Sequence, residues 1–126
     1  MATILVVDDD PELRVLVKSA LELCQHEVLS AENGVQALEQ LDRHTIELVI
    51  TDVNMPEMDG IELLVELRNE RPDLPIIVMS GGGIMEREVL LENARALGAF
   101  QTMMKPLDPN EIEKVVEGVL GHSSKE

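Results

Sequence analysis

The apolar positions of this chain alternate between short continuous runs and helically spaced stripes. The runs fall at about Thr3–Val7, Glu27–Ala31, Leu48–Thr51, Ile76–Met79 and Ala99–Met103. The first, third and fourth are unbroken and rich in apolar or β-branched residues, as in strands covered on both faces. After each run, apolar residues recur at helical spacing. The stripes are Leu13, Leu16, Val17, Ala20 and Leu21; Val35, Ala37, Leu38 and Leu41; Ile61, Leu63, Leu64 and Leu67; Val89, Leu90, Ala94 and Leu97; and Ile112, Val115, Val116, Val119 and Leu120. Boundary signals agree with this division. Asp10-Pro11 puts an acid at a cap and a proline in the first helical turn, and Asp59-Gly60 and Asp108-Pro109 read alike. Asn33-Gly34 ends the second strand, the third helix stops before Pro72, and Gly98 closes the fourth. Five strand-then-helix repeats imply right-handed crossovers and an α/β fold: a doubly wound, five-stranded parallel sheet flanked by five helices.

A chain of 126 residues suits one domain with an ordinary core. That domain is expected over 1–121, with 122–126 a polar tail. Aromatic residues make up only 1%, Phe100 alone, so Val, Ile, Leu and Met must build the core. Met55, Met58, Met79, Met103 and Met104 read as filler for it. The formal charge of −15 argues against unaided binding to nucleic acid or an anionic membrane, both of which need basic footprints. Cys24 is the single cysteine, which excludes an intrachain disulfide, fits a reducing compartment and reads as a small core residue. The start MATILVV runs straight into a strand, unlike a signal peptide, and no apolar run is long enough to span a bilayer. A cytoplasmic setting is expected.

The chemistry gathers where strands end. Asp8-Asp9-Asp10 follows the first run and Asp52 follows the third. In an open α/β sheet, the edge outside the strands' carboxyl ends is where ligands bind. Acids gathered there repel one another unless a cation joins them, and an all-oxygen set suits a hard divalent ion such as Mg²⁺. Ser80 ends the fourth run and Lys105 follows the fifth. Asp10 and Asp59 read as helix caps rather than site residues. His26, His44 and His122 are scattered without ligand spacing. Gly81-Gly82-Gly83 lacks the spacing and the Lys-Ser/Thr of a P-loop and reads as a flexible loop.

This ordered set, carried by VVDDDPELR, VITDVNMPEMDG, IIVMSG and MMKP, resembles the receiver domain of two-component response regulators over about Ile4–Leu120. The resemblance implies a flavodoxin-like sheet of strand order 2-1-3-4-5 and assigns roles. Asp52 is the phosphoacceptor, a carboxylate made competent when a metal and a cation neutralise the incoming charge. Asp9 is a direct Mg²⁺ ligand, Asp8 acts more through water, and Asp52 and the backbone carbonyl of Asn54 complete the protein's share. The Asn54 side chain flanks the path of a water attacking the acyl phosphate. Ser80 offers its hydroxyl to a phosphoryl oxygen. Lys105 pairs with Asp52 and then with the phosphoryl group, and its bond to Pro106 is expected to be cis. The phosphodonor is a sensor histidine kinase or histidine phosphotransfer protein, and the output goes to a downstream effector protein. The chain is then not an enzyme acting on other substrates, but a phosphoacceptor that catalyses its own phosphorylation and dephosphorylation.

Two positions depart from the family pattern. Thr102 stands where a switching Tyr or Phe is usual, and the interval from Ser80 to Lys105 is longer than usual, with the excess before Gly98. Both leave the chemistry intact and question the usual output relay. An aspartyl phosphatase of the haloacid dehalogenase type calls for DxDxT after the first strand and a cap domain; DDDPE and the length of the chain argue against it. A pseudo-receiver acting only as an interaction module is argued against by Asp9, Asp52, Ser80 and Lys105. The chain ends soon after the fifth helical pattern, which leaves no effector domain in it. A stand-alone regulator and an excised receiver stay equally open.

Overall fold

A computed structural model describes residues 2–52, 60–80 and 99–123. Its strands are β1 (Thr3–Val7), β2 (Glu27–Ala31), β3 (Leu48–Asp52), β4 (Ile76–Ser80) and β5 (Gln101–Met104). Among the described residues the helices are α1 (Pro11–Leu23), α2 (Gly34–Arg43), α3 (Gly60–Glu70) and α4 (Pro109–Ser123). α4 corresponds to the fifth helical stripe. The fourth stripe, Val89 to Leu97, lies outside the described residues, as do Met55, Met58, Asp59, the Gly81–Gly83 run and Gly98. The sheet is parallel throughout, in the order β2-β1-β3-β4-β5, so the expected topology is the observed one.

The alternation of side chains along each strand divides the core into two layers. Ile4, Val6, Leu48, Ile50, Ile77, Met79 and Met103 face one side. There Val17, Ala20 and Leu21 of α1 and Ile112, Val116 and Val119 of α4 cover them. Leu5, Val7, Val49, Ile76 and Val78 face the other side, under Ala37 and Leu41 of α2 and Leu63, Leu64 and Leu67 of α3. β3 and β4 are buried along their whole length, which is why their sequences read as unbroken apolar runs. The lone aromatic, Phe100, takes no part in this core and is 44% exposed.

Strand boundaries of β3, β4 and β5 differ from expectation. β3 and β4 each run one residue further, because the ladder pairs Asp52 with Met79 and Ser80 with Met104. Backbone hydrogen bonding does not require an apolar side chain, so polar residues extend both strands. β5 runs over Gln101–Met104 rather than Ala99–Met103; Phe100, just before it, donates its N–H to the Ile76 carbonyl. Asn33, expected only to end β2, caps α2, its Oδ1 accepting from the Gln36 N–H at 2.9 Å. Asp10 caps α1 as expected, accepting from the Glu12 N–H at 3.0 Å. Asp108 accepts from the Asn110 N–H at 2.8 Å at the start of α4. α4 itself runs through Ser123. Cys24 is half-buried at the C-cap of α1 rather than in the core, and desolvation, with Glu113 and Glu117 nearby, raises its thiol pKa.

Candidate functional site

The middle strands deliver their polar ends to one point. β1 lies between β2 and β3, so Asp8, one residue beyond β1, meets Asp52, the last residue of β3. Both continue the alternation of the layer under α1 and α4. Asp8 is fully buried and Asp52 is 5% exposed, whereas Asp9 is exposed. One carboxylate oxygen from each of Asp8, Asp9 and Asp52 lies within 4.8 Å of the others.

Lys105 reaches this cluster from the end of β5. Its Nζ donates to Asp8 Oδ2 at 3.0 Å and stands 3.4 Å from Asp52 Oδ1. Its backbone N–H donates to the Ser80 carbonyl at 2.8 Å, which ties the lysine to the end of β4. The Lys105–Pro106 peptide is cis. Asp8 is held at every polar group. Its N–H donates to the Ala31 carbonyl, its Oδ1 accepts from the Asp10 N–H at 2.9 Å, and its carbonyl accepts from Arg14 Nη1 at 2.6 Å.

Electrostatics follow from this packing. Desolvation raises the pKa of Asp8 above the ordinary carboxylate value, against the lowering effects of the Asp10 N–H and Lys105. Burial also opposes the Lys105 ammonium, but its hydrogen bond to Asp8 and the charges of Asp52 and Asp8 prevail and its pKa is raised. The site therefore holds a firmly protonated lysine against a buried acid for which ionisation is costly. Ser80 Oγ, at the end of β4, is buried with no hydrogen-bond partner among the described residues. Such an orphan hydroxyl is costly and uncommon in a folded protein. Beside these groups opens a groove of about 390 Å³, lined by Asp10, Glu12, Leu13, Leu16, Lys105, Pro106 and Leu107. A hollow of about 430 Å³ lined by Ile46, Glu47, Pro75 and Leu120 lies at the opposite edge of the sheet, away from the acids.

The family model for the response regulator receiver domain matches residues 4–117. This chain belongs to that family. Among curated relatives, the transcriptional regulatory protein GlrR of Escherichia coli K12 is 33% identical over 123 residues, 98% of this chain and 27% of that protein. The DNA-binding transcriptional regulator NtrC of the same strain is 34% identical over 117 residues, 93% of this chain and 24% of that protein. The chain thus spans about a quarter of the length of these relatives. Among solved structures, a CheY-like receiver domain protein from Methanospirillum hungatei JF-1 superposes with a TM-score of 0.89 at 28% identity, covering 99% of this chain and 98% of that one. NtrX from Brucella abortus gives 0.89 at 33% identity, covering 98% of this chain and 28% of that one.

Within this receiver the structure brings together Asp8, Asp9, Asp52 and Lys105 and places Ser80 one strand away, between β3 and β5. Asn54 lies outside the described residues. Thr102 is half-buried in β5, paired with Val78. No helix among the described residues is long and apolar enough to cross a membrane. Sequence reasoning missed two side chains. Arg14 grips the Asp8 carbonyl, and its signal was a charge in register with buried Val17 and Leu21 on α1. His26 is buried; its Nδ1 accepts from the Ala2 N–H at 3.0 Å, and its Nε2 lies 2.6 Å from Glu117 Oε2. That pairing joins β1 to α4 and gives the histidine a structural place, which no local motif announced.

Proposed function

We propose that this receiver is a phosphorylation-dependent signalling switch, with Asp52 as the phosphoacceptor. The observation that carries the reading is the bridge from Lys105 Nζ to Asp8 and Asp52, with the buried Ser80 hydroxyl, without a partner among the described residues, at the same edge of the sheet. A nucleophilic carboxylate needs positive charge to meet a phosphoryl dianion, and a donor hydroxyl to take one of its oxygens. Both groups stand at the end of the sheet where Asp52 stands. The carboxylates of Asp8, Asp9 and Asp52 fit a hard divalent cation: three oxygen donors within reach of one another, two of them buried, with the burial of Asp8 opposing its charge in a way a cation relieves. These three residues, with the Asn54 carbonyl, would hold Mg²⁺, which supplies further positive charge for the phosphoryl oxygens when bound.

In the forward step an Asp52 oxygen attacks the phosphorus of a phosphohistidine. The new O–P bond forms as the P–N bond breaks, and the bonding pair leaves with the imidazole. In a separate hydrolytic step water attacks the phosphorus of the acyl phosphate; the Asp52 O–P bond breaks with its electron pair returning to the carboxylate, and inorganic phosphate leaves with the water's oxygen and protons. The chain promotes both steps on itself, so it is a self-processing phosphoacceptor rather than an enzyme with a separate substrate. The donor is a sensor histidine kinase or histidine phosphotransfer protein, and a downstream effector protein reads the result. The groove between α1 and Pro106 lies open beside Lys105 for such a donor. The charge of −15 favours a protein partner over nucleic acid or membrane, and the setting is cytoplasmic.

Incubation with Mg²⁺ and acetyl phosphate tests the reading. Intact mass rises by one phosphoryl group in the wild type, and Asp52→Asn shows no adduct. Equal labelling of the mutant would sink the assignment.

A further inference from the structure

Asp8 and Asp9 sit in a three-residue turn between β1 and α1, and one side chain closes that turn. Arg14 lies one helical turn past the Asp10 cap. Its backbone N–H donates to the Asp10 carbonyl at 3.1 Å, while its Nη1 donates to the Asp8 carbonyl at 2.6 Å. The Asp10 N–H returns to Asp8 Oδ1 at 2.9 Å. The turn is thereby stapled at both ends by the same residue.

The guanidinium is itself supported from the neighbouring turn between β2 and α2. Arg14 Nη2 lies 3.9 Å from Glu32 Oε1. Gln36 holds Glu32 by a reciprocal pair: its Nε2 donates to Glu32 Oε2 at 3.2 Å, and its Oε1 accepts from the Glu32 N–H at 2.9 Å. Gln36 in turn donates its N–H to the Asn33 cap. A continuous chain of contacts therefore runs from the start of α2 through Glu32 and Arg14 to the backbone of Asp8. The Arg14 side chain is 17% exposed, so its hydrogen bond is shielded, while Glu32 at 60% is open to solvent.

We infer that Arg14 is a positioning residue for the metal-binding acids, with Glu32 as its outer support. This inference rests on the functional reading above. Arg14 acts through the Asp8 carbonyl, fixing the direction in which the Asp8 and Asp9 side chains leave the turn. Positioning and charge predict opposite signs. A cation standing near an acidic cluster repels Mg²⁺, so if charge were Arg14's whole effect, its removal would tighten Mg²⁺ binding. If Arg14 holds the turn, its removal scatters the ligands and weakens binding. Partners that orient metal ligands cost roughly 10–100-fold in affinity when removed.

The test is titration of the full chain with Mg²⁺ alone, followed by NMR shifts of the β1–α1 turn, for wild type, Arg14→Met, Arg14→Lys, Glu32→Gln and the double variant Arg14→Met/Glu32→Gln. Arg14→Met should weaken Mg²⁺ about tenfold. Arg14→Lys, which keeps a donor, should recover part of that loss. Glu32→Gln should weaken binding by a smaller factor and add nothing once Arg14 is gone, because both act through one chain of contacts. Tighter or unchanged Mg²⁺ binding in Arg14→Met overturns the inference, as does a Glu32→Gln effect that persists undiminished in the double variant. If Arg14→Met fails to fold, Glu32→Gln and Arg14→Lys decide it: wild-type affinity in both is an overturning result. Phosphorylation of the wild type is measured separately. Its failure overturns the phosphoacceptor reading, whereas normal labelling with Arg14-independent Mg²⁺ binding overturns this inference alone.

Discussion

Replacing Lys105 with Met removes the cation that keeps two buried acids together and leaves their repulsion in place. At 3.0 and 3.4 Å the lysine gains about 5 kcal/mol of gross attraction to each carboxylate, at an effective dielectric of about 20. Part of this only offsets desolvation of the charges, since the lysine side chain is just 25% exposed. Asp8 and Asp52 carboxylate oxygens no more than 4.8 Å apart repel by at least about 3.5 kcal/mol on the same scale. The loss has a ceiling, because Asp8 can take up a proton instead; from an ordinary carboxylate value that costs about 4 kcal/mol at pH 7. Lys105→Met should therefore destabilise the metal-free fold by about 3 kcal/mol at pH 7, the low end for breaking a buried pair. The pH dependence has a definite sign. Asp8 already titrates above its unfolded value, and losing Lys105 raises it further. The folded variant then binds more protons than the unfolded chain, so its stability grows as pH falls from neutral towards the unfolded carboxylate value. At pH 5 the protonation ceiling drops to about 1.5 kcal/mol, and the deficit should shrink with it. Urea unfolding in EDTA at both pH values measures this. A deficit under about 1 kcal/mol at pH 7, or one that does not change with pH, would refute the claim that Lys105 offsets buried carboxylate charge.

Two further substitutions separate chemistry from architecture. Ser80→Ala deletes a buried hydroxyl with no partner among the described residues, so stability should hold within about 1 kcal/mol or improve, while phosphorylation by acetyl phosphate slows; marked destabilisation would show that the hydroxyl is satisfied in solution. His26→Leu orphans the buried Ala2 N–H and the contact with Glu117, and should cost about 2 kcal/mol in urea unfolding with Asp52 labelling unchanged; a loss of labelling would give His26 a part in the chemistry.

Much of this fold was legible because its strands are buried on both faces. Ile4 to Val7, Leu48 to Ile50 and Ile76 to Met79 can satisfy only a covered parallel sheet, and the structure covers them. The errors arose where hydrogen bonding outruns the apolar pattern. Asp52 and Ser80 read as residues beyond their strands, yet the ladder includes both, and this holds them more rigidly than a loop would. The site was legible for a related reason: in a parallel sheet, chain direction alone puts every strand's following residue on one edge. Asp8, Asp9, Asp52, Ser80 and Lys105 needed no knowledge of which strands touch. Arg14 and Glu32 did, because their meeting depends on β2 lying beside β1. His26 likewise depends on α4 crossing beneath the loop after α1, 91 residues later in the chain.

The same distinction explains what the acids do to the fold before any ligand arrives. A strand end that gathers Asp8 and Asp52 inside the protein opposes folding, because buried charge loses its hydration. Lys105 answers only part of that cost, since its single charge is shared between Asp8 and Asp52. The Asp8 carbonyl, amide and both carboxylate oxygens are all engaged by Arg14, Ala31, Asp10 and Lys105, which leaves that residue little freedom to relax by turning away. The strain is therefore held as electrostatic potential rather than dispersed by motion. A positive ion or a rearranged lysine relieves it, and whatever relieves it shifts the balance of conformations by the energy released. On the proposed function, cation affinity and the reserve for a conformational response would arise from the same crowded carboxylates, so a substitution that calms the cluster, such as Asp8→Asn, should trade responsiveness for stability.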